Sequence, residues 1–210
     1  IFIGKNSTIK ETIQEVQELI GSEKPDSVIL LGDIKSSIKN ISKSEWEEVP
    51  LFFEKIKENC NVVVIPGNHD ANIQRLIPEG VLMISSTGMV EENILLTHGH
   101  TMPSENFSHV DKIIMGHVHP VFFQEDSVLN GQRVWISLKT DKQNIFPNKR
   151  GEVEITVIPS FNKYFFATHK KRYKKSISPI IEKIKNTSSA RIVTLDGTII
   201  GDESIIDQVF

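Results

Sequence analysis

Apolar side chains near the start of the chain recur at the spacing of one face of a helix. Ile9, Ile13, Val16, Leu19 and Ile20 are separated by positions that are mostly polar or charged. This period predicts an amphipathic helix over residues 7–21. A capping box can form at its start and a glycine can end it, the residues concerned being Thr8, Glu11 and Gly21.

A second helix is predicted from Ser44, which has the spacing of a capping box with Glu47, through Lys57. Pro50 lies inside this stretch. Because proline has no amide proton and its ring clashes with the preceding turn, we expect the helix either to start late or to bend there.

Four short runs of apolar residues are typical of strands that are buried on both faces. They lie at residues 27–31, 61–65, 93–97 and 112–115. The first two alternate with the helical patterns, which is typical of an α/β protein with a parallel sheet.

The pattern changes after residue 120. Residues 121–123, 133–138 and 152–157 predict antiparallel strands. A short helix capped by Ser178 and a hairpin that turns at Asp196-Gly197 follow, and residues 139–150 and 159–176 are predicted to be loops. We therefore expect a core over residues 1–158 and a C-terminal extension, residues 159–210, packed on it.

The composition is that of a folded globular protein: 39% of the 210 residues are apolar and 24% are charged. With 27 acidic and 24 basic residues, no global charge attracts the chain to nucleic acid or to an anionic membrane. The single cysteine, Cys60, excludes an intramolecular disulfide and a zinc ribbon. No apolar run approaches the roughly 20 residues of a membrane span, and no signal peptide is recognisable, so a cytoplasmic location without membrane association is expected.

Each of the four buried runs is followed at once by side chains that can bind a metal. The segments are Gly32-Asp33, Gly67-Asn68-His69-Asp70, His98-Gly99-His100 and Gly116-His117-Val118-His119, and they hold five of the seven histidines. Because sites in open α/β sheets form at the carboxyl ends of strands, we expect six of these side chains to share one crevice. The six are Asp33, Asn68, His69, His98, His117 and His119.

The chemistry of this set indicates a borderline transition metal. Imidazoles, a carboxylate that can bridge two ions and an amide oxygen suit Mn²⁺, Fe²⁺, Zn²⁺ or Co²⁺ better than Ca²⁺. The set contains no thiolate, which argues against a closed structural zinc site and favours a catalytic centre with open positions. Taken singly, a Gly-Asp pair is usually a turn and a histidine after a strand is usually a core residue; the joint occurrence favours the metal site.

In this order, the four segments resemble those of the calcineurin-like metallophosphoesterases, over nearly the whole chain. The Gly32-Asp33-Ile34-Lys35 neighbourhood, with residues 158–162, resembles an archaeal branch related to the SbcD-type DNA-repair nucleases. The resemblance implies a metallophosphoesterase-type β-sandwich flanked by helices, with a C-terminal extension. It also implies two divalent metal ions.

The resemblance further implies a role for each matching residue. Asp33 would bridge the two ions, Asn68, His98 and His117 would complete the shell of the second ion, and His119 would bind the first. His69 would be the catalytic acid. Asp70 is expected to orient the imidazole of His69, a common task for a carboxylate near a metal. His100 either faces the phosphate or packs.

The chain departs from the family at its start. The family opens with an Asp-x-His motif, followed in this branch by Ile-Gly; matching this to Ile3-Gly4 places Phe2 at the histidine position and the aspartate before Ile1. Phenylalanine cannot bind a metal, so the first ion would keep only Asp33 and His119. We expect it to bind more weakly than the second.

The sequence is compatible with two functions, because most ligand positions are intact whereas Phe2 replaces one of them. The favoured one is metal-dependent hydrolysis of a phosphate mono- or diester, with a nucleotide or nucleic acid among the candidate substrates. The alternative is a catalytically weakened homologue that binds nucleic acid or a protein. The basic stretch that begins at His169 and ends at Lys175 could track phosphates, together with Lys142, Lys149, Arg150 and Lys163, or could be a solvated loop. A metal site that serves only structure fits least, because nothing resembles a closed tetrahedral set.

Overall fold

The structure, a computed structural model, describes residues 9–163 and 178–209. The chain divides into two compact units, Ile1–Ser86 and Thr87–Phe210. The predicted α/β class is confirmed, since helices and sheets occur together. Phe2 and residues 169–175 lie outside the described residues.

The first unit is a three-stranded parallel sheet with two helices. Its elements are α1 (Ile9–Glu23), β1 (Ser27–Leu30), α2 (Lys43–Ile56), β2 (Asn61–Val64) and β3 (Val81–Met83). The sheet has the order β1-β2-β3, and Ile29 of β1 lies opposite Val63 of β2. The parallel arrangement predicted for the first two runs is confirmed, whereas β3 was not predicted.

Both predicted helices exist, and the last turn of α1 and the start of α2 differ from the prediction. Residues 7 and 8, and with them the cap predicted at Thr8, lie outside the described residues. Gly21 lies inside α1, and the left-handed residue that follows the helix is Lys24, with φ 49°. The N-cap of α2 is Ser42, not Ser44, and the capping box is completed by Glu45. Pro50 lies in the interior of α2, so the alternative of a late start was wrong.

The second unit is built on a mixed seven-stranded sheet. Its strands are β4 (Met89–Glu91), β5 (Ile94–Thr97), β6 (Lys112–Met115), β7 (Val134–Asp141), β8 (Glu152–Val157), β9 (Ser189–Thr194) and β10 (Ile199–Asp202), and its helix is α3 (Pro179–Ile184). The order is β10-β9-β7-β8-β6-β5-β4. β5, β6 and β8 are parallel neighbours, and the remaining pairs are antiparallel.

The antiparallel half agrees with the sequence pattern in most places. β8, the helix capped by Ser178 and the hairpin at Asp196-Gly197 occur as predicted. Residues 121–123 form only an isolated bridge, between Val121 and Arg133. The predicted loop 139–150 is wrong at its start, because β7 continues to Asp141.

The residues after 178 add strands to this same sheet. β9 pairs with β7, and β10 pairs with β9. The predicted boundary between a core ending at residue 158 and an extension beginning at residue 159 stays a prediction. No helix among the described residues is long and apolar enough to span a membrane.

The position of the α2 cap can be tested with two serines on the same turn. The Ser42 hydroxyl accepts a hydrogen bond from the Glu45 amide at 3.2 Å. Ser42→Ala should therefore lower the free energy of unfolding by about 1 kcal/mol. Ser44→Ala, the control, removes a hydroxyl that lies 3.2 Å from that of Ser42 but takes no acceptor from the Glu45 amide, so it should change the free energy of unfolding by less than about 0.5 kcal/mol. Urea unfolding measures both, and equal losses would show that Ser42 is not the cap.

Candidate active site

The loops that follow β1 and β2 lie side by side, because the two strands are parallel neighbours. Hydrogen bonds tie them in both directions. The amide of His69 donates to Asp33 Oδ1 at 3.0 Å, whereas the amides of Ile34 and Lys35 donate to Asp70 Oδ1 at 2.8 and 3.2 Å. The carboxylate of each loop therefore holds the main chain of the other.

The Asp70 carboxylate accepts hydrogen bonds from three main-chain amides. It is buried, and its second oxygen accepts from the amide of Gly67 at 2.8 Å. Burial raises the pKa of Asp70 above its usual range, the amides of Gly67 and Lys35 act in the opposite direction, and the charge of Asp33 adds to the rise. The three amides compensate part of the cost of burying this carboxyl group.

The predicted role of Asp70 toward His69 was wrong. Both oxygens of Asp70 are engaged by main-chain amides, and the imidazole instead places Nδ1 3.0 Å from the carbonyl oxygen of Ser36. A carbonyl only accepts hydrogen bonds, so Nδ1 carries a proton and Nε2 is the nitrogen that can exchange one. His69 is half-buried, so its ring can reach a bound molecule.

Asn68 is exposed on the same loop. The first unit thus brings together four of the residues that the sequence singled out: Asp33, Asn68, His69 and Asp70.

The second unit brings four histidines to the ends of β5 and β6, which are also parallel neighbours. His98 directly follows β5 and is buried. His98 Nε2 lies 3.2 Å from His117 Nδ1. Two imidazole nitrogens that bind one ion at about 2.0–2.1 Å lie about 3.3 Å apart at a tetrahedral angle. This distance is that of a hydrogen bond between the two rings, and it is also the spacing of two ligands to a single transition metal.

His100 and His119 complete this group. The ring of His100 lies 5.2 Å from that of His98 and 6.1 Å from that of His117, measured between centroids. His119 is half-buried on the loop after β6. His100 thus packs among the other imidazoles, and a role toward a phosphate stays a prediction.

Three of the predicted metal ligands have a left-handed backbone. The φ angles are 50° at Asp33, 66° at His117 and 51° at His119. This conformation is uncommon for residues other than glycine and costs about 1–3 kcal/mol at each position. Such strain is typical of functional sites, where it aims side chains that a relaxed loop would point elsewhere.

Gly99 and Ser178 determine the path of the His98 loop. The φ angle at Gly99 is 95°, a conformation that residues with a side chain rarely adopt, and a Cβ there would also press on the Met115 side chain, so glycine is strongly favoured. The buried hydroxyl of Ser178, the cap of α3, donates to the Gly99 carbonyl at 2.5 Å. The sequence predicted Ser178 as a cap but contained no sign of this second contact.

One member of the predicted basic surface is buried. Lys142 is nine-tenths buried and forms an ion pair with Asp111 at 3.0 Å, so its role in tracking phosphates was wrong. Lys149, Arg150 and Lys163 are exposed. These three stay candidates for a phosphate-binding surface.

The site residues lie within the stretch matched by a known family. The model for calcineurin-like phosphoesterases matches residues 4–139. The chain belongs to this family. Its members bind divalent metals, which agrees with the spacing of His98 and His117.

The fold is also similar to that of a solved structure, the nuclease MPE of Pseudomonas putida. The two share 18% sequence identity with a TM-score of 0.55, over 91% of this chain and 80% of the nuclease chain. At this identity the likeness shows the fold alone. No curated protein matches this chain.

Asp70→Asn tests whether this carboxylate holds the two loops. Asparagine has one carbonyl oxygen, so its NH₂ group would face either the Gly67 amide or those of Ile34 and Lys35. An unsatisfied buried amide costs about 1–3 kcal/mol, so the free energy of unfolding should fall by that amount.

The control is Asp26→Asn, which changes the same atoms on an exposed residue. It should alter stability by less than about 0.5 kcal/mol. Urea unfolding compares the two variants. If their midpoints coincide, Asp70 does not hold the loops.

Proposed function

We propose that this protein is a metal-dependent phosphoesterase that hydrolyses a phosphate mono- or diester. Family membership supports a hydrolase of this type. The observation that carries the proposal is the 3.2 Å spacing of His98 Nε2 and His117 Nδ1 at the ends of two parallel strands.

The proposed ligands follow the order of the family motifs. Asn68, His98, His117 and Asp33 would hold one ion, and His119 would hold a second ion together with Asp33. The donor set fits Mn²⁺, Fe²⁺, Zn²⁺ or Co²⁺, because it combines imidazole with oxygen and contains no thiolate. With Phe2 at a ligand position of the family, we propose that the ion at His119 is the weaker one.

The proposed reaction divides the work between the ions and the chain. When bound, the metal ions polarise the phosphate and lower the pKa of a water molecule toward neutrality. In its doubly protonated form His69 would donate the Nε2 proton to the leaving oxygen, which leaves the neutral ring with its remaining proton on Nδ1, hydrogen-bonded to the Ser36 carbonyl. The His69 amide also orients Asp33. One residue thus supplies the proton by its side chain and positions a ligand by its main chain.

For the substrate, we propose a phosphodiester of a nucleotide or nucleic acid. The solved structure with a similar fold is a nuclease, and Lys149, Arg150 and Lys163 are exposed cations in this chain. The Gly32-Asp33-Ile34-Lys35 neighbourhood supports a place in the archaeal branch related to the SbcD-type nucleases. A cytoplasmic location and Mn²⁺ as the resident ion belong to the same proposal.

Metal binding should depend on the one charged ligand. Wild-type protein in millimolar Mn²⁺ at neutral pH should hold about one tightly bound ion per chain, measured by elemental analysis after desalting. Asp33→Ala should abolish this binding, since asparagine and histidine ligands supply no negative charge. Asp26→Ala, which removes an exposed carboxylate, should leave it unchanged. Full Mn²⁺ occupancy in Asp33→Ala would contradict the ligand assignment.

His69→Asn should reduce turnover and leave the metal in place. General acid catalysis typically contributes a factor of about 10²–10⁴, so kcat for an aryl phosphodiester should fall within that range. Bound Mn²⁺, measured on the same samples, should not change. If metal and activity are lost together, His69 is a ligand or a structural residue. An aryl phosphomonoester and single-stranded DNA, assayed in parallel, identify the substrate class.

A further inference from the structure

A buried carboxylate on α2 holds the segment at Ser36 and Ser37, whose first carbonyl contacts His69. Glu45 is fully buried. Its Oε1 accepts hydrogen bonds from the Ser36 amide at 2.9 Å, the Ser36 hydroxyl at 3.2 Å and the Ser37 amide at 2.8 Å. A single carboxylate oxygen therefore fixes two successive peptide groups.

Helix capping accounts for none of these three contacts. The capping box uses the other oxygen, Oε2, which accepts from the Ser42 amide at 2.7 Å. Burial works to raise the pKa of Glu45, but the hydrogen bonds from Ser42 and Ser37 outweigh it and hold the pKa below its ordinary value. Hydrogen-bond donors face both oxygens of Glu45, as an anion requires, and hydrogen bonds to an anion are roughly twice as strong as neutral ones.

A buried cation acts on the same segment. Lys35 is fully buried, and its ammonium group donates to the carbonyl of Ser37 and, at 3.4 Å, to that of Asn40. The amides at the start of the segment therefore face a carboxylate, whereas carbonyls further along face an ammonium group. Because the negative Glu45 side chain holds the amides and the positive Lys35 side chain holds the carbonyls, rotation of these peptides is restricted.

The Ser36 carbonyl is the group that meets the imidazole of His69. Its direction depends on the peptides of Ser36 and Ser37, whose amides both donate to Glu45. We propose that Glu45 is a positioning residue for His69: it acts through Ser36 and selects the tautomer with the proton on Nδ1. This inference rests on the proposed function insofar as His69 donates the proton.

The tautomer can be measured without metal or substrate. Nitrogen-15 NMR of the metal-free protein distinguishes a protonated from an unprotonated ring nitrogen. Wild-type protein and Ser42→Ala should show His69 with its proton on Nδ1. Glu45→Ala should show the proton distributed over both nitrogens. An unchanged Nδ1–H signal in Glu45→Ala would overturn the proposal, whether or not the protein hydrolyses phosphate esters.

Ser42→Ala is the matched control because it damages the same capping box without touching Ser36. Kinetics with the metal-loaded protein give the second measurement. Glu45→Ala should lower kcat about tenfold, a part of what a proton donor contributes, with KM changed less than about twofold. Ser42→Ala should retain the wild-type kcat.

Glu45→Gln keeps the proposal testable if Glu45→Ala does not fold. The amide oxygen of glutamine can still accept from Ser36, but as a neutral group it holds the peptide less strongly. Its kcat should therefore lie below that of Ser42→Ala. Equal kcat values for Glu45→Gln and Ser42→Ala would show that Glu45 acts only as part of the helix cap.

Discussion

The proposed site in the first unit depends on a reciprocal exchange of hydrogen bonds between two loops. Asp33 accepts the amide of His69, and Asp70 accepts the amides of Ile34 and Lys35. Neither loop can move without breaking bonds to a buried carboxylate of the other. Such a bond is charge-assisted, and its loss would leave a buried charge or amide unsatisfied. This cost maintains the strained backbone of Asp33.

Parallel strand pairs explain why the candidate ligands come in two groups. β1 and β2 are neighbours in the first sheet, as are β5 and β6 in the second. Both members of a parallel pair end at the same edge of the sheet, so the loops that leave them meet there. Each unit then tightens its own loops, the first through Asp70 and the second through Gly99 and Ser178.

Support for His69 reaches outward from the loop to a helix. Ser36 contacts the ring, Glu45 holds Ser36, and the second oxygen of Glu45 accepts the main-chain amide of residue 42 at the first turn of α2. A general acid works only if the nitrogen that donates its proton faces the leaving atom. Residues that hold Nδ1 of His69 on the Ser36 carbonyl, and so direct Nε2, therefore affect the rate without touching the substrate. The fully buried charges of Lys35 and Glu45 are consistent with such a structural purpose, because an unused buried charge is costly.

The sequence alone determined most of the elements and the candidate ligands. Apolar runs predicted β1, β2, β5 and β6, because a strand buried on both faces has an apolar composition that few other elements share. The residues after these strands could be found because glycine, histidine and aspartate stand out where a buried strand ends. Pro179 after Ser178 predicted α3 for a similar local reason.

Only the tertiary structure decided which partner each side chain takes. Ser42-x-x-Glu45 and Ser44-x-x-Glu47 have the same capping pattern in the sequence. In the structure the first pair forms the capping box, and Glu45 also accepts hydrogen bonds from the amides of Ser36 and Ser37. Asp70 lies next to His69 in sequence but accepts amides from the loop after β1, which approaches only when the sheet forms. Other contacts of the site are made by main-chain groups, namely the Ser36 carbonyl and the amides of Ile34 and Gly67. Every residue except proline has both a main-chain amide and a carbonyl. They therefore leave no mark in the sequence, and their contacts depend on the folded backbone.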